Sequence, residues 1–376
     1  MENGITKRQS AILQGAAIWM MVYHHLYSFA VEYGSLLPFM QVDTVQRIGW
    51  FCKLCVGIFA FVSGYGMYYV LDRQPREGFW DRLLREYRCV LGRILKLYGK
   101  LWLVLLIYMG ILFGILGLPF DPAQLLGNLT ALNPTYNGAW WYVEQYAKML
   151  LALPLLDLLL TRFTRPGEEK CKWIFYLTLG LLGGGAVLAG RLWLPGLWTL
   201  AVAVKDGLRI SFLLVFVAGY LIARYGLWQR VDKVLRRRGG WLPVCLSVAL
   251  LGAVIALRTM LATDAAYAKL DFLFAPLFSY GVLTLLSRVP PLGAFLAWWG
   301  KQSTYIWLVH GFLYGWLYYL IRPHVRLDIW VYLAVLLASA VVSLLLQALT
   351  GIPGRLVRRQ SRKGDKNPGK REGIPE

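Results

Sequence analysis

Three imidazoles in this chain sit where ionisable groups are rare. His24 and His25 fall within the apolar run from Ala11 to Val31, and His310 falls within another, GKQSTYIWLVHGF. A titratable side chain in a stretch composed like a bilayer-crossing helix points to function. Imidazole, whose ordinary pKa lies closest to neutrality, can take a proton from a hydroxyl and return it to a leaving group. At about 100° per residue, Gln14 and Glu32 both lie within roughly 20° of His25, so the three form one polar stripe, while His24 points about 100° away. Ser303 shares the face of His310. Taken alone, either imidazole is equally well explained as a packing residue satisfied by its neighbours. Two spans far apart in sequence thus each bring an imidazole to the membrane interior.

Two sets of charges extend the pattern. Glu144 and Lys148 stand i, i+4 apart within an apolar run; they can neutralise each other as a structural ion pair, or the carboxylate can line a reaction cavity. Arg93, Lys96 and Lys100 are spaced three and four apart and share a helix face. Such a ridge suits a phosphorylated donor, although the basic run from Arg73 to Arg93 also serves topology and attracts anionic lipid. Of the cysteines, only Cys52 and Cys55 have a CxxC spacing, and a metal site needs more ligands than that; they read as packing residues, and no metal is expected. His324, between Arg322 and Arg326, reads as a surface residue. No GxSxG, Walker loop, HExxH or dinucleotide fingerprint is present.

The elements that must position these groups follow from composition. The chain has 376 residues, 58% hydrophobic and 15% aromatic, with a mean hydropathy of +0.51. That exceeds the ~45–50% apolar share of soluble domains. An all-α integral membrane protein with about ten transmembrane helices is expected, over roughly 11–31, 49–71, 95–117, 140–160, 172–190, 208–225, 241–261, 270–288, 299–321 and 328–350. The first run is too long and too interrupted by polar residues for a signal peptide. Lys and Arg crowd the segments on the same side of the membrane as the N-terminus, so both termini are placed in the cytoplasm. This rule accounts for the net charge of +20 without a nucleic-acid partner. Residues 118–139 read as an outer loop whose aromatics and amides suit either the interface or a sugar, and 191–206 as a re-entrant or interfacial piece. Residues 1–352 form the transmembrane domain, and 353–376 a basic, disordered cytoplasmic tail.

With these residues in place, the chain resembles the membrane-bound acyltransferase-3 family. The resemblance rests on ILQGAAIWMMVYHH with His25 in register, FAFVSGY at 59–65, GRILKLYGKLW at 92–102, Trp141-Tyr142 and the GK.S.YI.L.H pattern from Gly300 to His310. It implies an O-acyltransferase of the bacterial plasma membrane. Acetyl-CoA or another acyl-CoA would be the donor and co-substrate, bound from the cytoplasm, and a sugar or polysaccharide hydroxyl the acceptor. His25 would act as base with Glu32 or Glu144 orienting it, His310 and Ser303 would bind the acyl group or its oxyanion, and Arg93, Lys96 and Lys100 would hold the CoA phosphates. An acyl-histidine intermediate and direct transfer both fit. Gln14 stands where the family commonly has a basic residue, Lys96 stands where it has an arginine, and no esterase-like domain follows the last span. The rival reading is a secondary transporter or flippase for a glycan-like substrate, which should show repeat symmetry; no internal repeat is evident.

Overall fold

The first helix begins at a capping box. Thr6 Oγ1 accepts from Gln9 N at 3.1 Å and Gln9 Oε1 accepts from Thr6 N at 2.9 Å, which satisfies two donors that a helix start leaves bare. From there α1 runs over Lys7–Tyr27, so it starts earlier than the expected span. The structure is a computed structural model, and it describes residues 4–28, 36–72, 78–117, 121–163, 209–237, 241–261 and 270–364. Glu32, Cys171, the expected span at 172–190 and the expected re-entrant piece at 191–206 lie outside the described residues.

Among the described residues all regular structure is helical. After α1 come α2 (Val42–Cys52) and α3 (Leu54–Asp72), which form one nearly continuous rod, then α4 (Phe79–Met109), extended by a π-helical turn at Gly110–Ile115. The loop beyond it holds α5 (Pro122–Thr130), capped by Asp121 and opened by proline, and a 3-10 turn at Gly138–Trp140 that leads into α6 (Trp141–Phe163). Then follow α7 (Ile210–Arg224), α8 (Leu227–Arg237), α9 (Leu242–Leu261), α10 (Asp271–Leu286), α11 (Pro290–Ile321) and α12 (Ile329–Gly364).

Among the described residues, four stretches are long and apolar enough to cross a membrane (42–71, 79–115, 242–260 and 329–351), or five if the bent pair α7–α8 is one span, which leaves the expected count of about ten unconfirmed. Part of the difference has a physical cause. Helices α1, α6 and α11 are long but carry His24, His25, Glu144, Lys148, Ser303 and His310, the polar groups that lower their hydropathy. Helix α12 keeps helical backbone to Gly364, past the sequence boundary at 352; Arg, Leu, Gln and Lys are all good helix formers.

Close glycine contacts set the helix positions. Helix α1 packs most extensively on α11, and the two backbones nearly touch: a Cβ on Gly15 would overlap the Leu296 carbonyl, and one on Gly300 the Ala11 carbonyl. Small residues allow this approach where van der Waals contact must hold helices together without a hydrophobic drive. The same device joins α3 to α7, where Gly64 meets the Phe216 carbonyl and Gly219 the Phe61 carbonyl.

Two buried ionic clusters tie the remaining helices. Arg258 on α9 and Asp271 on α10 are both 0% exposed and paired at 2.8 Å, and the same guanidinium donates to the Trp50 and Phe51 carbonyls at the end of α2, at 3.0 and 2.7 Å. Asp157 on α6 gathers Arg82 of α4 with Tyr220 and Arg224 of α7. One arginine of the basic run, Arg82, is thereby a structural tie between helices.

Candidate active site

The parallel contact of α1 with α11 brings His25 to His310. The ring centroids lie 4.8 Å apart, and His310 Nε2 lies 3.3 Å from His25 Nδ1. Backbone carbonyls fix the tautomers, because a carbonyl can only accept. His310 Nδ1 faces the Trp307 and Ile306 carbonyls at 2.8 and 3.2 Å and therefore carries its hydrogen, leaving Nε2 with the lone pair. His25 Nδ1 faces the Met21 carbonyl at 2.9 Å, so it too is the protonated nitrogen and points its N–H between that carbonyl and His310 Nε2. The remaining nitrogen, His25 Nε2, has no hydrogen-bond partner among the described residues and is the available base. His310 is fully buried and His25 half-buried.

His24 takes a different role. Its Nδ1 donates to the Gly49 carbonyl of α2 at 2.9 Å and lies 2.6 Å from Ser28 Oγ, so it is a packing residue that binds α1 to α2. Its ring meets that of His25 at 5.2 Å, nearly edge-on.

His25 lies between two cavities. The first, of about 160 Å³, is lined by Gln14, Met21, Ser63, Tyr146, Ser303 and Thr304, with His25 at one end. The second, of about 380 Å³, is lined by His24, His25, Lys53, Trp141, Arg209 and Tyr314. Their order follows the helices. Gln14 and Ser303 precede the two histidines on α1 and α11, while Tyr314 lies beyond them, so one cavity lies on each side of the imidazole pair along the helix axis. His25, Val56, Ala139 and Trp141 border both.

Loop 137–140 is pinned against α11 at the level of the pair. Asn137 Nδ2 and Trp140 Nε1 both donate to the Leu308 carbonyl, at 3.1 and 2.9 Å, and Trp307 Nε1 donates to the Ala139 carbonyl at 3.1 Å. Asn128 is also committed to structure, donating to Gln124 O and Thr135 Oγ1 and accepting from Tyr136 N. Two of the amides that suited a sugar from sequence, Asn128 and Asn137, are thus engaged in holding this loop.

The other expected site residues are distributed as follows. Gln14, His25 and Ser303 share the first cavity. Glu144 pairs with Lys148 on its own helix, and the group that orients His25 Nδ1 is the Met21 carbonyl, so the expected carboxylate orienter at Glu144 gives way to backbone. His310 has no N–H left for an oxyanion, because Nδ1 is spent on carbonyls of its own helix and Nε2 is an acceptor. Lys100 leans over the Tyr305 ring at 5.2 Å, whereas Arg93 and Lys96 are exposed on α4, with Arg93 within electrostatic reach of Tyr146 in the first cavity's wall. Sequence reasoning passed over Ser63, Thr304, Tyr146, Lys53 and Arg209. The first two lie inside FAFVSGY and the GKQST run, so their motifs had marked the segments without marking the residues.

A family model described as an acyltransferase domain matches residues 11–348. No curated protein and no solved structure matches the chain.

Proposed function

Because the chain belongs to the acyltransferase-3 family, and so is a multi-pass membrane acyltransferase, we propose that it moves an acyl group, acetyl in the simplest case, from acyl-CoA to a sugar or polysaccharide hydroxyl across a bacterial cytoplasmic membrane. The observation that carries this reading is the His25–His310 pair at the junction of two cavities. Arg93, Lys96 and Lys100 hold the CoA phosphates at the cytoplasmic mouth. The neutral arm of the donor enters the first cavity, where Gln14, Ser303 and Thr304 offer hydrogen bonds.

The acceptor hydroxyl approaches His25 from the second cavity. His25 Nε2 takes its proton as the oxygen attacks the thioester carbonyl carbon, the carbon–sulfur bond breaks, and the departing thiolate takes the proton from the imidazolium. A hydroxyl is a poor nucleophile at neutral pH, and a positioned base contributes ~10²–10⁴-fold. The charge that appears on His25 is met by the Met21 carbonyl and the His310 Nε2 lone pair, in the way that a carboxylate serves a triad.

The test is thiol release from acetyl-CoA by the purified chain supplied with glycan acceptors. Release that needs both acceptor and His25 supports the reading; release unchanged in His25→Ala defeats His25 as the base, and no label transfer to any acceptor defeats acyl transfer.

A further inference from the structure

The two cavities that meet at His25 differ in charge. The first has neither a cation nor a carboxylate among its described lining residues. The second carries Lys53, at the break between α2 and α3, and Arg209, at the start of α7, again with no carboxylate in the described lining. Glu144 does act on Arg209 electrostatically, but it is itself held by Lys148. The Arg209 guanidinium stacks on Trp141 at 4.1 Å from the ring centroid, which occupies its face and leaves its N–H edge to donate. An arginine edge and a lysine point charge around one space are the donors that recognise carboxylate or phosphate oxygens. A volume of about 380 Å³ also falls within the range of ligand pockets.

On the reading of acyl transfer given above, we infer that the acceptor is anionic: a hydroxyl compound bearing a carboxylate or phosphate group, which Lys53 and Arg209 bind while His25 faces the hydroxyl. The neutral first cavity suits the uncharged thioester arm, so charge sorts the two substrates to opposite sides of the imidazole.

The experiment measures binding to the full chain in detergent. The probes are methyl β-glucuronide, glucose 6-phosphate and the neutral methyl β-glucoside, and the carboxylate and phosphate arms distinguish which anionic group is preferred. At least one anion should bind about tenfold or more tightly than the neutral glucoside, a preference weakened by salt. Arg209→Gln and Lys53→Gln should each remove most of that preference without altering the neutral probe, and Arg209→Lys should keep part of it. Adenosine 3′,5′-bisphosphate, which carries two of the donor's three phosphates, should not compete.

Equal affinity for charged and neutral probes, no binding of either anion, or full displacement by the bisphosphate overturns the inference. Thiol release from acetyl-CoA in the same preparations, lost in His25→Ala, reads acyl transfer separately. A chain that transfers without charge preference therefore fails only this inference, and one that binds anions without transfer fails only the reading beneath it.

Discussion

The two cavities at His25 are built by different rules, and the contrast explains why this imidazole occupies its place. On the Gln14 side the wall comes from helix interiors, where α1, α3 and α11 meet on small and hydroxylated residues, and the polarity is that of amides and hydroxyls. On the Lys53 side it comes from helix ends, the break after α2, the start of α7 and the pinned loop before α6, and the polarity is ionic. Helix interiors in a bilayer admit neutral hydrogen-bonding groups far more cheaply than charges. Helix ends can hold cations whose carbonyl and aromatic neighbours share the charge. On the proposed reading, a single base between two such spaces serves the neutral thioester arm of the donor on one side and an anionic acceptor on the other.

The largest expected effect removes what both cavities share. His25→Ala should lower turnover by ~10²–10⁴-fold, checked as kcat for thiol release, with the KM for acyl-CoA little changed because Gln14, Ser303 and Thr304 keep their places in the first cavity.

Next comes a change at the helix end that carries Lys53. Asp271→Asn leaves Arg258 buried without its partner and loosens the α2 carbonyls beside Lys53. Breaking one half of such a pair costs about 3–5 kcal/mol, to be read by thermal unfolding in detergent. The Gln14 side should be spared, so a KM for acyl-CoA that rises with the lost stability would erase the distinction between the two regions.

His310→Phe removes the lone pair that faces His25 Nδ1 while keeping a ring in place. A hydrogen bond to a charged group is worth about 1.5–3 kcal/mol, so kcat should fall roughly 10- to 100-fold. The smallest effect is expected on the neutral side. Gln14→Leu deletes one neutral hydrogen-bonding group worth about 0.5–1.5 kcal/mol, so the KM for acyl-CoA should rise several-fold and acceptor binding should stay as it was.

The neutral cavity was far more legible in the sequence than the ionic one. Gln14, His25, Ser303 and His310 each stand out as polar residues in an apolar run, and helical periodicity alone puts the first pair on one face of α1 and the second pair on one face of α11. Only their meeting needed tertiary structure, and the glycines that allow it, Gly15 and Gly300, lie within the quoted motifs. Lys53 and Arg209 gave no such signal, because a cation at a helix end reads as topogenic charge wherever its neighbours come from. Asp157, Arg82 and Arg224 were equally opaque, since three helices supply one cluster. Glu144 lies on its expected helix, but i, i+4 spacing alone left its role open between ion pair and reaction cavity; in the structure it pairs with Lys148.

His25 and His310 are separated by 285 residues, yet they touch. A chain leaving the ribosome inserts α1 among the first of its helices and cannot complete the imidazole pair until α11 has docked against it. Biosynthesis thereby acts as a safety catch, since a truncated or half-inserted chain holds His25 in the bilayer without the His310 lone pair that faces it. Two separately expressed pieces, divided within 164–208 and rejoined by contacts that include the glycine-lined packing of α1 on α11 and of α3 on α7, should recover thiol release on association, with Gly300→Val lowering it.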